Sequence, residues 1–174
     1  MFKDIIGHNE IIKRLKNIIS SGRIANAYVF SGPPEVGKEF VAINFAKSLN
    51  CLADTEKPCD KCISCKKIDS GNHPDVRQIK PEGTKLKIDQ MRLLQKQGNY
   101  RAVEGKYKIY IINESEKMTP EAANSLLKIL EEPPGTMVLI LITSMYNALL
   151  PTIRSRCQSV KFSLIPLNVL KDEL

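Results

Sequence analysis

Tryptophan is absent from this sequence, histidine occurs twice, and no stretch of the chain is an internal repeat or a low-complexity tract. No apolar run approaches the roughly 20 residues that a membrane-spanning helix needs. The amino-terminal segment, MFKDIIGHNE, carries acidic residues and lacks the apolar region of a secretory signal peptide. These absences argue against a membrane protein and against an exported one, so we expect a cytoplasmic location.

The chain is long enough, at 174 residues, for one domain and the beginning of a second. Hydrophobic residues make up 43% of it, which is sufficient for a packed core. The net charge is +7, from 26 lysines and arginines against 19 acidic residues. A basic balance fits association with nucleic acid or with an acidic partner. On charge alone, a solvated lysine-rich surface is the simpler interpretation.

The segment SGPPEVGKEF, residues 31–40, has the G-x-x-x-x-G-K pattern of a phosphate-binding loop. An apolar run at 27–30 precedes it, and residues 41–47 have helical spacing. Strand, glycine loop and helix are the context that such a loop requires, because amides at a helix start favour an anion and the lysine reaches the terminal phosphates. The predicted nucleotide-contacting residues of this segment are Gly32, Pro33, Val36, Gly37, Lys38 and Glu39.

Two positions that ordinarily hold Mg²⁺ are altered. The motif has Ser or Thr after its lysine, because that hydroxyl ligates the metal, whereas this chain has Glu39. A carboxylate there would lie beside the phosphates, and like charges about 4 Å apart cost ~4 kcal/mol at an effective dielectric of ~20. An acidic residue in the first turn also suits the positive end of a helix. The strand that usually ends in Asp-Glu ends here in Asn113 and Glu114. We therefore expect a degenerate site that does not hydrolyse ATP, with Glu114 either orienting a water or simply exposed.

Alternating strand and helix patterns predict an α/β fold around a parallel sheet. Apolar runs predict strands at 27–30, 76–79, 108–112, 137–143 and 160–162. Helical spacing predicts helices at 8–21, from the glycine loop to about 50, at 88–97 and from 120 to the prolines at 133–134. A short helix is also predicted at 147–154, interrupted early by Pro151. The run at 137–143 is continuously apolar, which is typical of a strand buried on both faces.

Four of the five cysteines lie close together in the sequence, as Cys51, Cys59, Cys62 and Cys65. Two C-x2-C steps let neighbouring thiolates converge, and four thiolates suit a closed, structural Zn²⁺ site. Free thiols or a redox pair are the alternatives, and His73 could replace Cys51 as the fourth ligand. Cys157 is far away in the sequence and is predicted to be an inert, partly buried thiol.

Five stretches follow one another in an order that resembles the delta-prime subunits of bacterial DNA polymerase III clamp loaders, of the AAA+ class. They are ANAYVFSG, the cysteine cluster, GNHPDV, AANSLLKILEEPP and LLPTIRSRC. The resemblance runs from Gly7 to about Phe162. It implies a RecA-like, three-layer P-loop domain at 1–163 with a five-stranded parallel sheet, a zinc module at about 51–67, and the start of a helical lid at 164–174.

The resemblance also implies a role. Delta-prime is a stator that assembles with motor (tau/gamma) and delta subunits to place the sliding clamp on primed DNA, and it is not an enzyme by itself. It implies that Arg156 of the SRC motif acts in trans on a neighbour's ATP, and that Thr143 holds the position that senses the γ-phosphate. An active tau/gamma-like motor is the alternative, and Glu39 and Asn113 argue against it. A zinc-dependent DNA-binding module is a third and weaker alternative, because the cysteine cluster lacks the paired helix pattern of a zinc finger that reads bases.

Overall fold

Five parallel strands form one sheet in the computed structural model, which describes residues 2–165. The strands are β1 (Ala27–Ser31), β2 (Val76–Ile79), β3 (Lys108–Ile112), β4 (Met137–Thr143) and β5 (Gln158–Lys161). Their order across the sheet is β2-β3-β4-β1-β5, and every neighbouring pair is parallel. Parallel strands need crossover connections, and helices supply them.

Helices cover both faces of the sheet. They are α1 (Asn9–Ser21), α2 (Lys38–Asn50), α3 (Ile63–Asp69), α4 (Ile88–Gly98), α5 (Pro120–Glu131) and α6 (Pro151–Arg156). Short 3-10 helices lie at Phe2–Asp4, Ser115–Lys117 and Tyr146–Ala148. Apolar side chains of α1, α2 and α3 pack on one face, and those of α4, α5 and α6 pack on the other. The predicted three-layer α/β architecture is confirmed.

The central strand β1 shows why its sequence is apolar at every position. Tyr28 and Phe30 point into the core on one face, where the ring of Phe45 lies 5.2 Å from that of Tyr28. Ala27 and Val29 belong to the core on the opposite face. Because both faces are covered, a strand with polar residues at alternate positions would leave them buried without water.

Three predicted details differ from the structure. Helix α3 lies inside the cysteine segment, where seven residues are too few for a helical pattern to stand out. The segment 147–154 is interrupted at Pro151 as predicted, but it forms a 3-10 helix and the separate helix α6 rather than one helix, because Pro151 lacks an N–H and occupies the first turn of α6. Strand β5 begins at Gln158 rather than at 160, because this edge strand buries only Val160 and therefore shows little apolar pattern. The remaining predicted strands, and the helices predicted at 8–21 and 88–97, match the observed ones to within one residue at each end.

The predicted start of a lid at 164–174 lies largely outside the described residues, which end at 165. Across residues 2–165, none of the helices has both the length and the apolar character needed to cross a membrane.

Candidate functional site

The glycine loop leaves β1 at the carboxyl edge of the sheet, between the ends of β4 and β5. Gly32 is required by close packing, because a Cβ at this position would collide with the main-chain oxygen of Phe162. Gly37 has a φ of 85°, a left-handed conformation that costs other residues strain, and it leads directly into α2. The predicted strand, loop and helix are therefore present in the predicted order.

Lys38 is engaged by the loop itself. Its ammonium donates hydrogen bonds to the main-chain oxygens of Gly32, at 2.7 Å, and Pro33, and it lies 3.5 Å from the Ser144 hydroxyl. Only 6% of the residue is exposed. Burial lowers the pKa of Lys38, and the nearby Glu116 carboxylate partly offsets this. The ammonium group that would contact a terminal phosphate is thus already hydrogen-bonded to the loop.

The two altered metal positions make contacts within this chain. Glu39 lies in the first turn of α2, and its carboxylate is 3.2 Å from the ammonium of Lys80 at the end of β2. Asn113, just after β3, is buried and donates from its side-chain amide to Gln78 Oε1 at 3.3 Å. Asn113 has no carboxylate and the carboxylate of Glu39 is paired with Lys80, so neither position presents the Ser or Thr hydroxyl or the Asp carboxylate that ordinarily holds Mg²⁺ beside a phosphate.

Two further predicted residues lie at the same edge. Glu114 follows Asn113 in a left-handed conformation, with a φ of 49°, and forms an ion pair with Lys117. Thr143, at the end of β4, is buried, and its hydroxyl accepts a hydrogen bond from the amide of Met145 at 3.0 Å. Its main-chain oxygen accepts from Gly32 at 3.3 Å, so Thr143 ties β4 to the glycine loop.

These residues enclose a cleft of about 840 Å³. Its charged lining comprises four carboxylates, from Glu35, Glu39, Glu114 and Glu116, and two ammonium groups, from Lys38 and Lys80. An excess of negative charge opposes the approach of a triphosphate, because like charges repel more strongly where water is partly excluded.

Two contributors to this site were missed by sequence reasoning. His8 is buried and bonds through Nε2 to the main-chain oxygen of Val36 at 2.7 Å, which fastens the amino-terminal segment to the loop. Glu116 accepts from the amide of Ser144 at 3.4 Å. No spacing rule connects residue 8 with residue 36, whereas Glu116 could have been found from its position just past the end of β3.

The four clustered cysteines converge as predicted. Their sulfur atoms all lie within 4.8 Å of one another. Amide N–H groups point at three of the sulfurs: that of Cys59 lies 3.4 Å from Cys51 Sγ, that of Cys62 lies 3.3 Å from Cys59 Sγ, and that of Cys65 lies 3.4 Å from Cys62 Sγ. Tetrahedral ligands about 2.3 Å from a zinc ion lie about 3.8 Å apart, so only small side-chain adjustments separate this cluster from that geometry. The donor set fits a metal ion.

The cysteines differ in acidity. Amides of Cys62 and Lys61 lower the pKa of Cys59 to about 6, because N–H groups stabilise its thiolate. Burial raises the pKa values of Cys51 and Cys65, so these two would need a cation nearby to ionise. Burial also raises the pKa of Cys157 to about 12, and this thiol packs at the edge of the core apart from the cluster.

His73 does not converge with the cysteines. Its Nδ1 accepts from the amide of Asp75 at 3.1 Å, and its Nε2 lies 3.2 Å from the Ser64 hydroxyl. Both ring nitrogens thus have partners within the protein, and the group of four sulfurs includes Cys51. The geometry favours Cys51 over His73 as the fourth ligand.

Arg156 lies at the end of α6 and is not among the described residues that line the cleft. Its guanidinium donates to the main-chain oxygen of Thr152 at 3.1 Å and to Glu131 Oε1 at 3.0 Å. The side chain is 38% exposed, so it can be reached from outside the domain. A role toward this chain's own loop is not supported by this placement.

Comparison with protein-family models matches residues 7–166 to the family described as "DNA polymerase III, delta subunit". Among curated relatives, subunit delta' of DNA polymerase III from Bacillus subtilis is 41% identical over 94% of this chain and 50% of that protein. Subunit tau from the same organism is 37% identical over 94% of this chain and 29% of its own length. The chain therefore spans half or less of these relatives.

Solved structures agree on the fold. A DNA polymerase III gamma subunit-related protein from Thermotoga maritima superposes with a TM-score of 0.70 at 26% identity, covering 91% of this chain and 48% of that one. The RuvB Holliday junction branch migration motor of the same organism has a TM-score of 0.65 at 15% identity, covering 98% and 50%. The second likeness shows a shared fold alone.

Proposed function

Since this chain belongs to the DNA polymerase III delta-subunit family of clamp-loader proteins, we propose that it acts as a delta-prime-type stator without ATPase activity of its own. Its partners would be motor (tau/gamma) and delta subunits, and through the assembly it would help place the sliding clamp on primed DNA in the cytoplasm. It would serve a nucleotidyltransferase, the polymerase, without itself catalysing a reaction.

The observation that carries this proposal is the state of the two metal positions. Glu39 is paired with Lys80, and Asn113 is hydrogen-bonded to Gln78. A motor subunit would instead have a hydroxyl and a carboxylate at these two positions and would hold Mg²⁺ with them. Lys38 uses two of its three ammonium donors on the main-chain oxygens of its own loop, which leaves one for a phosphate. Glu35 and Glu116, which are not part of the ion pairs of Glu39 with Lys80 and of Glu114 with Lys117, add negative charge to the cleft and act in the same direction.

We expect no steady ATP hydrolysis by the isolated protein, and binding of Mg·ATP weakened by up to about a thousandfold relative to a motor subunit, since ~4 kcal/mol of repulsion is nearly three factors of ten. Calorimetric titration and a phosphate-release assay measure the two quantities. The double variant Glu39→Thr with Asn113→Asp should recover Mg²⁺-dependent binding. Turnover that Lys38→Ala abolishes would contradict the proposal.

An active tau/gamma-like motor remains the second candidate, because the glycine loop keeps its geometry and subunit tau of Bacillus subtilis is 37% identical to this chain. The same titration separates the two functions. A motor would bind Mg·ATP without any change at 39 or 113.

The four cysteines are proposed to hold one structural Zn²⁺. The ligands would be Cys51, Cys59, Cys62 and Cys65, whose convergence leaves no position open to substrate. When bound, the ion would link the end of α2 to the start of α3, and its charge would keep the two buried thiols ionised. The proposed role of the ion is to stabilise the fold, without taking part in a reaction.

Metal analysis of protein purified without chelator should find one equivalent of zinc. Cys65→Ser should lose it, because Cys65 is fully buried in the cluster, whereas Cys157→Ser should keep it as the matched control. Less than about half an equivalent in the unmodified protein would rule out closed four-thiolate ligation.

A further inference from the structure

Three residues near the candidate metal ligands are connected to one and the same segment, 103–107, which leads into β3, two of them directly and the third through a chain of hydrogen bonds. Asn50 precedes Cys51, accepts from the amide of Tyr107 and donates to its main-chain oxygen, both at 2.9 Å. Lys67, two residues after Cys65, donates to the Glu104 carboxylate at 2.7 Å. The third contact starts from Ser64, which precedes Cys65 and lies in the first turn of α3.

The Ser64 contact reaches the segment through His73 and Asp75. The Nδ1 atom of His73 accepts from the amide of Asp75, so its proton is on Nε2 and is donated to the Ser64 hydroxyl. The Asp75 carboxylate accepts from the amides of Val103, Glu104 and Gly105, at 2.8, 2.7 and 2.7 Å. Ser64, His73 and Asp75 are 5%, 3% and 1% exposed, so water cannot readily replace these bonds.

We propose that the cysteine module sets the order of segment 103–107, with His73 as the positioning residue that connects them. The inference rests on the proposed metal site. Without an ion, the first turn of α3 loses its link to Cys51 and Cys59. Ser64 then no longer holds the His73 ring, and the ring no longer fixes the backbone of Asp75. The amides at 103–105 lose a preorganised acceptor, and β3, which ends just before Asn113 beside the cleft, is no longer held at its start.

Hydrogen exchange of the full chain, with zinc bound and after removal of zinc under reducing conditions, tests this directly. We expect the amides at 103–105 to exchange at least about tenfold faster without zinc, because local opening there then costs less free energy. The amides of α5, on the far side of the sheet, should change little. The readout does not depend on any activity.

His73→Ala should give the same faster exchange at 103–105 with zinc still bound at one equivalent. Removing zinc from that variant should add less at 103–105 than it does in the unmodified protein, since two changes that share a path are not fully additive. Ser64→Ala, a smaller change that leaves the bond between His73 and Asp75 intact, should likewise reduce the zinc effect. Asn72→Ala, at an exposed neighbouring position, is the control and should behave as the unmodified protein does.

Each outcome decides between the proposals. Bound zinc whose removal leaves exchange at 103–105 unchanged overturns the coupling and leaves the metal site standing. Additive effects of zinc removal and His73→Ala also overturn it. Protein that binds no zinc overturns the metal site and the coupling together, while the nucleotide titration continues to test the stator role separately.

Discussion

Replacing Asp75 by alanine is expected to lower the free energy of unfolding by about 3–5 kcal/mol, because it removes one partner from a buried charged hydrogen-bond network. The carboxylate is 1% exposed and accepts three main-chain N–H groups at 2.7–2.8 Å. Each donor left without an acceptor in a buried place costs about 1–3 kcal/mol. The main-chain oxygen of Asp75 also accepts from the amide of Ile109 at 2.7 Å, and alanine keeps that bond.

Urea unfolding followed by circular dichroism measures this loss. Asp89→Ala is the matched control, since Asp89 is also an aspartate but its side chain is 85% exposed and forms a surface ion pair with Arg92, 3.4 Å away. An exposed pair contributes about 0–1 kcal/mol, so the control should unfold close to the unmodified protein. A loss below about 1 kcal/mol for Asp75→Ala would mean that segment 103–105 finds other acceptors.

The contribution of Asp75 should depend on pH. Burial alone would raise the pKa of this carboxyl, but hydrogen bonds from Gly105, Glu104 and Val103 outweigh it and hold the pKa below its usual value. A group whose pKa is lower in the folded state stabilises the fold fully above its unfolded pKa, about 3.9 for aspartate, and loses that contribution as the pH falls through its folded pKa. The stability difference between the unmodified protein and Asp75→Asn should therefore be constant near neutral pH and shrink only in strong acid.

The glycine loop and the sheet could be read from the sequence because their signals are local. A buried parallel strand is apolar at every position, as in Ala27–Ser31, and a G-x-x-x-x-G-K pattern between a strand and a helix is typical of a phosphate-binding loop. The cysteine cluster was also readable, because two C-x2-C steps constrain where the sulfurs of Cys59, Cys62 and Cys65 can lie. Each of these predictions depends on residues that are close together in the sequence, within one or two neighbouring helices or strands.

The missed features join residues far apart in the chain. The sequence offered His73 as a metal ligand, yet its ring connects Ser64 with Asp75. Only the fold brings Asp75 to residues 103–105, since β2 pairs with β3 at the sheet edge. The pairing of Glu39 with Lys80 likewise requires β2 to end near α2. Sequence spacing carries no information about partners that are far apart in the chain. The sequence therefore showed which residues have unusual chemistry, but it did not show which residues they contact.

Replacing Arg156 by alanine is expected to leave folding and zinc content unchanged while it slows clamp loading by the reconstituted assembly about tenfold or more. The guanidinium is held by Glu131 and by the main-chain oxygen of Thr152 on the surface, and such exposed pairs contribute about 0–1 kcal/mol. In trans, an arginine that neutralises a transferred phosphoryl group contributes on the order of 10³–10⁵ in rate. Total ATPase should fall by less, because in the proposed assembly this residue would serve only one of the motor sites.

The ion pair of Arg156 with Glu131 provides a second variant with which to test this role. To reach a neighbour's phosphate, Arg156 has to leave a carboxylate 3.0 Å away, so Glu131→Gln should leave loading unchanged or raise it. Arg156→Lys should restore little, because an ammonium lacks the planar fork that binds two oxygens at once. Arg92→Ala, which removes another exposed and paired arginine, is the control. Loading by Arg156→Ala at the unmodified rate would show that the arginine is only part of a surface ion pair, because a finger that acts on a neighbour's ATP cannot be removed without slowing that neighbour.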